Sequence, residues 1–452
     1  MLTVPEAIAE ILAHVTPLPL ARLPLINALG LVLAEDAICD LDSPPFDKAL
    51  MDGYAVRTAD LVDGQGTLHV VAEVMAGQVA QRPVGPEQAI RIMTGARVPE
   101  GADAVVPIEH TREHTRQEQG ESPRDEVMID SASIASGKNI FKRGESTRKG
   151  ERVVPAGRQL RGQEIGALAE LGKAEVAVYG RPRVAVLATG DELVPVGSLP
   201  GPGQIRNSNE TMLVAQLCQM GAVPHPLGVA RDDPDDLRAK ISQGLAYDML
   251  LLSGGVSAGK LDLVPSVLAE MGVRQVFHKV RVKPGQPIWF GVLEPAAAGK
   301  MGSVGPGSQL KKGTVPLGST DLQGDNRLLE RDSPLFQQPA RCHVFGLPGN
   351  PVSSMVCCEL FVRTAIRRLM GIEPAATAGL PARLTSDHFN SGNRPTYHPA
   401  RWELSRSGAV VEPVKWNGSA DLSATVEANA MVLFATSDYL YRAGDVVEVF
   451  VW

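Results

Sequence analysis

The sequence predicts a multidomain α/β plus β protein: a central doubly wound, mostly parallel sheet domain, flanked by small β-rich domains and ending in a C-terminal β barrel. Three observations lead there. Apolar strand-like runs alternate with helical segments between about Arg183 and Gly371. Residues 45–140 and 376–452 instead carry short alternating runs broken by glycine and proline. The length, 452 residues, suggests about three domains at roughly 150 residues each.

From the start, MLTVPEAIAEILAHV reads as a helix, with Thr3 as N-cap, Pro5 in the first turn and Glu6 behind it. It lacks the basic region and small-residue cleavage site of a signal peptide. Within 45–140, HVVAEVMAG and AIRIMTGA are typical of a small β domain, and 110–126 (HTREHTRQEQGESPRDE) reads as a charged surface insertion. Residues 183–188 (RVAVLA) form a buried strand that opens into Thr189-Gly190-Asp191-Glu192. Residues 209–220 read as a helix capped by Asn209 and stopped at Gly221, and 226–230 as a second strand. Asp233-Pro234-Asp235-Asp236 supplies a cap, a first-turn proline and acidic residues to a helix carrying Leu237, Ile241 and Leu245 at i, i+4 spacing. DMLLL at 248–252 is a buried strand feeding SGGVSAG, and Pro265 lies near the start of a helix that ends at Gly272. Ligands of such folds bind at the carboxyl ends of the strands, where TGDE and SGGVSAG both fall. Residues 294–340 hold seven glycines and five prolines with little periodicity. They predict an exposed mobile insertion between QPIWFGVL and CHVFGLPG, which would otherwise form a short hairpin. Gly444-Asp445 before VVEVFVW marks a turn into the last strand.

Composition narrows the function. The formal net charge is −7, the reverse of the basic balance that phosphate neutralisation on a nucleic acid needs. Hydrophobic residues make up 44% and aromatics only 4%, so the cores rest on Val, Leu, Ile and Ala. No apolar run approaches the ~20 residues that span a bilayer, and a cytoplasmic location is expected. The cysteines Cys39, Cys218, Cys342, Cys357 and Cys358 have neither CxxC nor Cys/His spacing, against a disulfide scaffold or structural zinc. Adjacent Cys357 and Cys358 are expected to be buried free thiols.

Several segments carry chemistry. SGGVSAGK (253–260) admits three readings. It fits the front of a P-loop, but Leu261 stands where a hydroxyl should ligate magnesium. It contains GxSxG, the pattern of a nucleophile elbow centred on Ser257, though no later acid and histidine have a distinctive context. It also suits a glycine-rich turn whose N–H groups cradle phosphate. Asp52 lies in PPFDKALMDGYA, where Gly53 permits a tight backbone at the acid, although Asp-Gly is also a common hairpin turn. Thr94-Gly95-Ala96 and TGDE are polar loops leaving apolar strands. Lys279, Arg281 and Lys283 would share one face of a strand, and their mutual repulsion suggests either an oxyanion site or a solvated edge. His110 and His114 lack the HExxH order and read as surface residues.

Together, PPFDKALMDGYAV (44–56), RIMTGARVPEGADAVVPIE (91–109), LATGDEL (187–193), RDDP (231–234), SGGVSAGKLD (253–262), VRVKPGQP (280–287) and GLPGNPVSS (346–354) resemble the molybdopterin molybdenumtransferases, the family related to the gephyrin E domain. The resemblance covers most of the chain, in the family's order. It implies the last step of molybdenum cofactor synthesis: molybdate is inserted into adenylylated molybdopterin, AMP is released, and Mg²⁺ or another divalent metal assists. It further implies a homodimer with small-molecule substrates, contacts with molybdopterin adenylyltransferase and molybdoenzyme maturation proteins, and no nucleic-acid partner or membrane span. The domains it implies are an N-terminal helical and linker domain (1–43 with 144–176), a β-rich insertion domain (44–143), an α/β molybdopterin-binding domain like the adenylyltransferase (177–373) and a C-terminal barrel (374–452). Carried over by motif, Asp52, Thr94, Glu192, Asp232, Asp262, Lys279 and Lys283 are the expected catalytic residues. Asp52, Glu192, Asp232 and Asp262 are the expected metal contacts. Thr189, Gly190, Ser253, Gly254, Gly255, Ser257 and Pro287 are expected to bind pterin or pyrophosphate, and Lys283, Ser353, Arg394 and Ser419 to line the molybdate pocket. The alternatives are a non-catalytic molybdopterin-binding scaffold and the adenylyltransferase itself.

Three features depart from the family pattern. Phe141-Lys142-Arg143-Gly144-Glu145-Ser146 lacks the first Arg and final Asp of Arg-x-x-Gly-x-Asp, so Lys142 and Arg143 keep charge but not the carboxylate. Gln286 stands in KPGQP where a second lysine is expected at molybdate, forfeiting a charge-assisted hydrogen bond of ~1–2 kcal/mol. The 294–340 insertion adjoins this pocket in sequence.

Overall fold

A strand whose side chains are apolar on both faces has to be covered on both sides. In the larger unit Arg183–Thr189, Met249–Ser253 and Cys342–Leu347 meet that condition, and they lie side by side within its sheet. The structure, a computed structural model, describes residues 1–116, 124–131, 134–256, 263–294, 341–406 and 408–452. The chain packs into two units: Met1–Ala34, Gly157–Arg161 and Glu175–Trp452 in one, Glu35–Ala156 and Gly162–Ala174 in the other.

In the larger unit, α1 (Val4–His14) starts with a capping box in which Thr3 and Glu6 satisfy each other's backbone N–H groups. The α/β region follows as β1 (Arg183–Thr189), α2 (Ser208–Gln219), β2 (Val223–Ala230), α3 (Pro234–Gly244), β3 (Met249–Ser253), α4 (Val264–Glu270), β4 (Arg274–His278), β5 (Trp289–Leu293) and β6 (Cys342–Leu347). The strands form one six-stranded sheet in the order β2–β1–β3–β6–β5–β4. The first four are parallel, while β5 runs antiparallel to both β6 and β4. Ala185, Leu187, Leu250 and Leu252 pack on one face against Leu237 and Ile241 of α3 and Val264 and Leu268 of α4. The alternate positions Val184, Val186 and Leu251 are equally buried, so both faces are covered. The predicted hairpin partners QPIWFGVL and CHVFGLPG do pair, with Leu293 opposite Cys342. Most of the 294–340 insertion between them lies outside the described residues.

After β6 come α5 (Pro351–Cys357), a π-type segment at Cys358–Val362 and α6 (Arg363–Leu369). Cys357 and Cys358 are buried free thiols there. The strands β7 (Leu380–Leu384), β8 (Thr396–Ser405), β9 (Gly408–Pro413), β10 (Ala430–Phe434) and β11 (Val446–Val451) close a barrel in the order β7–β9–β8–β10–β11. Leu384, Ala400, Val411, Val432, Phe434 and Val449 fill it. Gly444 turns into β11 with φ +95°.

One expectation fails at α2. Its N-cap is Asn207, whose side chain accepts from the Glu210 N–H, and not Asn209. Asn209 sits inside the first turn, which frees its amide for contacts elsewhere. Gly221 does end this helix, in a left-handed conformation at φ +84°.

The second unit holds a six-stranded sheet in the order Ala104–Pro107, Gly53–Val56, Gln88–Ile92, Gln65–Val74, Arg124–Asp130, Thr111–Arg116. The charged segment 110–126 supplies the edge strand Thr111–Arg116 and the start of Arg124–Asp130; His110 and His114 are exposed as expected, while Glu126 is buried. His69 and His114 lie opposite Glu126 on either side. The Glu126 carboxylate, 4% exposed, is 3.4 Å from His69 Nδ1 and 3.0 Å from His114 Nε2. A buried carboxylate needs such partners, and sequence spacing alone does not reveal them. Among the described residues, no helix is long and apolar enough to cross a membrane.

Gly53 is required by close backbone approach, because it pairs with Pro107 across the sheet. A Cβ there would lie 2.8 Å from the Val106 carbonyl carbon and 3.0 Å from the Ile108 nitrogen. Gly53→Ala is expected to destabilise this unit by roughly 1–3 kcal/mol, read as a lower urea midpoint.

Candidate active site

The carboxyl ends of β1, β3 and β6 are adjacent because Ala188 pairs with Ser253 and Ser253 with Leu347. Each strand then opens into a polar loop at the same edge. Gly190 donates its N–H to Ala230 O (3.1 Å), and Gly254 donates to Leu347 O (3.1 Å). Gly254 and Gly255 are both left-handed, at φ +96° and +64°. A Cβ on Gly254 would lie 2.8 Å from Thr189 O, and one on Gly255 would lie 2.9 Å from Thr189 Oγ1. Two successive bare residues thus let one turn nest against the other, as a phosphate cradle requires. Asn209, displaced from the cap, ties the loops together: its Nδ2 donates to Ser253 Oγ (2.9 Å) and to Gly349 O (2.7 Å). The TGDE loop also meets the RDDP loop, where the Asp232 N–H donates to Asp191 Oδ1 at 3.4 Å.

These loops line a cavity of about 1290 Å³ that continues onto the barrel. Glu192 and Asp232 contribute exposed carboxylates to its wall, and Lys283, Arg394 and Arg206 contribute cations. Ser353 and Ser419 line it as well. Ser419 is held by Asn350, whose Nδ2 donates to its Oγ at 2.9 Å, and by the Val352 N–H, which donates to its carbonyl at 3.0 Å. On the barrel side stand His388, His398 and Trp416. His388 stacks on Phe434 with ring centroids 4.1 Å apart, and His398 meets Trp416 edge-on at 5.1 Å. His398 donates from Nδ1 to Pro399 O at 2.8 Å, because a carbonyl can only accept. Burial, helped by nearby His388 and Lys283, pushes its pKa down to about 4. Burial and Lys283 lower that of His388 too.

The structure brings together Thr189, Gly190, Glu192, Asp232, Ser253, Gly254, Gly255, Lys283, Pro287, Ser353, Arg394 and Ser419 from the sequence expectations. Ser257 and Asp262 lie outside the described residues. Lys279 is not in the cavity lining, and the shared strand face expected for Lys279, Arg281 and Lys283 does not form. The strand ends at His278, and Lys279 turns left-handed at φ +69°. Arg281 and Lys283 then reach the carbonyls of Asn393 (3.3 Å) and Ser391 (3.2 Å). Asn209, Asn350 and the two histidines were not among the expected site residues. Asn350 belongs to the GLPGNP motif, whereas nothing in the local sequence marks His398.

Asp52 and Thr94 belong to the second unit. Gly53 pairs with Ile92, so the residues flanking that pair meet at the strand ends. Both the backbone N–H (2.7 Å) and the hydroxyl (2.6 Å) of Thr94 donate to Asp52 Oδ1. Those two bonds hold the Asp52 carboxyl below the usual carboxylate range. In the same unit, Arg143 is committed to Asp42, with Nε donating to Oδ2 at 2.7 Å, so it does not stand as a free substitute cation.

Among the described residues, no group of three or more His, Cys, Asp or Glu side chains is arranged to hold a metal ion. Glu192 and Asp232 supply hard oxygen atoms to the cavity lining, the donor type that a divalent cation of the magnesium kind takes alongside waters and phosphates.

Comparison with known proteins places the chain. Residues 2–172 match the MoeA N-terminal region (domain I and II), 185–368 the "Probable molybdopterin binding domain" and 381–452 the MoeA C-terminal region (domain IV). A molybdopterin molybdenumtransferase of Bacillus subtilis (strain 168) is 31% identical, over 94% of this chain and 88% of the relative. One of Staphylococcus aureus (strain MRSA252) is 30% identical, over 99% and 94%. The chain belongs to the molybdopterin molybdenumtransferase family. The crystal structure of a molybdopterin biosynthesis MoeA protein from Pyrococcus horikoshii OT3 covers 100% of both chains, at 27% identity and a TM-score of 0.72. A molybdenum cofactor biosynthesis protein from Pyrococcus furiosus, 17% identical, shares the fold with a TM-score of 0.54. The second and third of these regions together contain every residue that lines the cavity among the described residues.

Two predictions follow from the ionisable groups. Thr94→Val removes one of the two donors to Asp52, so the Asp52 titration should move up toward the ordinary range, read by carboxyl ¹³C NMR of aspartate-labelled protein. For His398, the folded pKa lies below the unfolded value of about 6.5. Stability is therefore full above that value and falls as pH drops toward 4, since only the unfolded chain takes up the proton. Between about pH 7.5 and about pH 5 this group should cost about 2 kcal/mol. His398→Gln should remove that loss, measured by urea unfolding at both pH values.

Proposed function

We propose that this chain inserts molybdenum from molybdate into adenylylated molybdopterin and releases AMP and molybdenum cofactor. As a member of the molybdopterin molybdenumtransferase family it works in molybdenum cofactor biosynthesis. The observation that carries the detailed reading is one cavity whose lining combines glycine-rich turns, the carboxylates of Glu192 and Asp232 and the cations Lys283 and Arg394. That mixture suits a substrate carrying a phosphoanhydride together with a separate oxyanion.

In this reading the turns at Gly190, Gly254 and Gly255 receive the pyrophosphate and pterin through bare backbone, with Thr189, Ser253 and Pro287 beside them. Ser257 and Asp262, which follow these glycines in the sequence, act as binding and catalytic residues. Lys283, Arg394, Ser353 and Ser419 orient molybdate. Neutral His398 adds no positive charge beside Lys283, which leaves that ammonium and Arg394 to hold the anion. Glu192 and Asp232 would hold Mg²⁺ or a similar cation, which supplies neutralisation of phosphate charge when bound. Asp52 and Thr94 act as a carboxylate fixed in its ionised form by two donors, and Lys279 as a further cation for the substrate. The reading extends to the four domains set out above and to a homodimer in the cytoplasm, the assembly being testable by analytical ultracentrifugation. It also includes the adenylyltransferase and molybdoenzyme maturation proteins as partners.

The test is molybdate-dependent AMP release from adenylylated molybdopterin in the presence of Mg²⁺. Lys283→Ala and Asp232→Asn should each lower kcat/KM by at least about tenfold, the size expected for losing one charge-assisted contact in the transition state. Pterin binding by the wild type without any AMP release would overturn the enzyme reading in favour of a scaffold.

A further inference from the structure

The segment 281–286 and the loop 391–397 are laced together. The Lys283 N–H donates to Pro395 O (2.9 Å), and the Tyr397 N–H donates to Lys283 O (2.7 Å). Arg281 and Lys283 hold the Asn393 and Ser391 carbonyls from their side chains. The backbone that carries Arg394 is thereby located, but its guanidinium is not, because an arginine side chain has several rotatable bonds beyond the backbone. One contact restrains it. Arg394 Nη1 donates to Gln286 Oε1, and both side chains line the cavity. The Gln286 amide is oriented without ambiguity, since the guanidinium only donates. Its Nε2 faces Met1 Sδ at 3.6 Å. Arg394 has no carboxylate partner among the described residues, so its charge stays available to an anion.

We propose that Gln286 is a positioning residue for oxyanion binding: it fixes the Arg394 guanidinium through one accepted hydrogen bond while adding no charge of its own. This rests on the transferase reading for its substrate, a tetrahedral oxyanion. Three other residue types fail for physical reasons. Lysine at 286 offers no acceptor and places a second cation against Arg394, which repels it. Glutamate would hold Arg394 but neutralise it. An apolar residue leaves the guanidinium unrestrained. The glutamine is therefore more than a lost cation: it exchanges one direct charge at the anion for a second charge held in place.

The experiment measures molybdate binding to the full chain by equilibrium dialysis, beside KM and kcat for AMP release. The variants are Gln286→Met, Gln286→Lys, Arg394→Ala and the double variant Gln286→Met with Arg394→Ala, each checked for an unchanged melting temperature. Gln286→Met should weaken molybdate binding and raise its KM about tenfold, the loss expected when a donor in a charge-assisted bond loses its acceptor. Its kcat and its KM for the pterin substrate should stay within roughly twofold, and Gln286→Lys should not restore binding. On the Arg394→Ala background, Gln286→Met should change molybdate binding by less than roughly twofold, since the residue acts through Arg394. An undiminished Gln286→Met effect on that background overturns the proposal, as does unchanged binding in Gln286→Met or no molybdate binding by the wild type. Dialysis needs no turnover, so absent AMP release would remove the transferase reading while binding still decides the role of Gln286.

Discussion

The parallel pairing of Arg183–Thr189 with Met249–Ser253, and of that strand with Cys342–Leu347, is the constraint on which the cavity depends. These strands are buried on both faces. A slip by one residue would exchange the side chains packed on α3 and α4 with those on the opposite face. Because the register is held by packing along the whole strand length, Thr189, Ser253 and Leu347 end level with one another. The loops that follow have no freedom to choose another edge. Their glycines then answer a second demand, backbone approach too close for a Cβ.

Charge in the cavity is distributed by the same means. The carboxylates come from loops after β1 and β2. Lys283 comes from the turn after β4, and Arg394 from the connection between the barrel strands β7 and β8. The cations do not collapse onto those acids, because backbone carbonyls and Gln286 occupy them instead. Burial keeps His398 neutral beside Lys283. Acidic and cationic side chains kept apart in this way present separate charges to separate groups of a ligand. Asp52 in the second unit follows a similar logic on a smaller scale: two donors from one threonine stabilise its ionised form at an exposed site.

Much of this was readable in the chain, and the exceptions share a cause. The apolar runs, the α3 cap at Asp233 and the turn glycines are local features, so strands, helices and loop positions could be placed from them. The α2 cap falls on Asn207 and not on Asn209 although both are good capping residues two positions apart, and only the packing of α2 chooses between them. The basic alternation at 279–283 has the period of a strand, yet Lys279 turns left-handed and the backbone N–H groups scatter, that of Arg281 to Leu2 O and that of Lys283 to Pro395 O. The charged segment 110–126 hid a buried carboxylate because strand pairing brings it His114 from one neighbouring strand and His69 from the other.

By itself, the sequence determined which segments become buried strands, where glycine must stand at their ends, and the family to which the ordered motifs belong. Those properties follow from side-chain polarity and backbone sterics within a few residues. Only the tertiary structure decided which polar groups meet: Asn209 with Ser253 and Gly349, Thr94 with Asp52, Gln286 with Arg394. Those pairings join residues 42 to 140 positions apart. A hydrogen bond extends only about 3 Å, so such partners are chosen by strand register and domain packing, which no local stretch of sequence specifies.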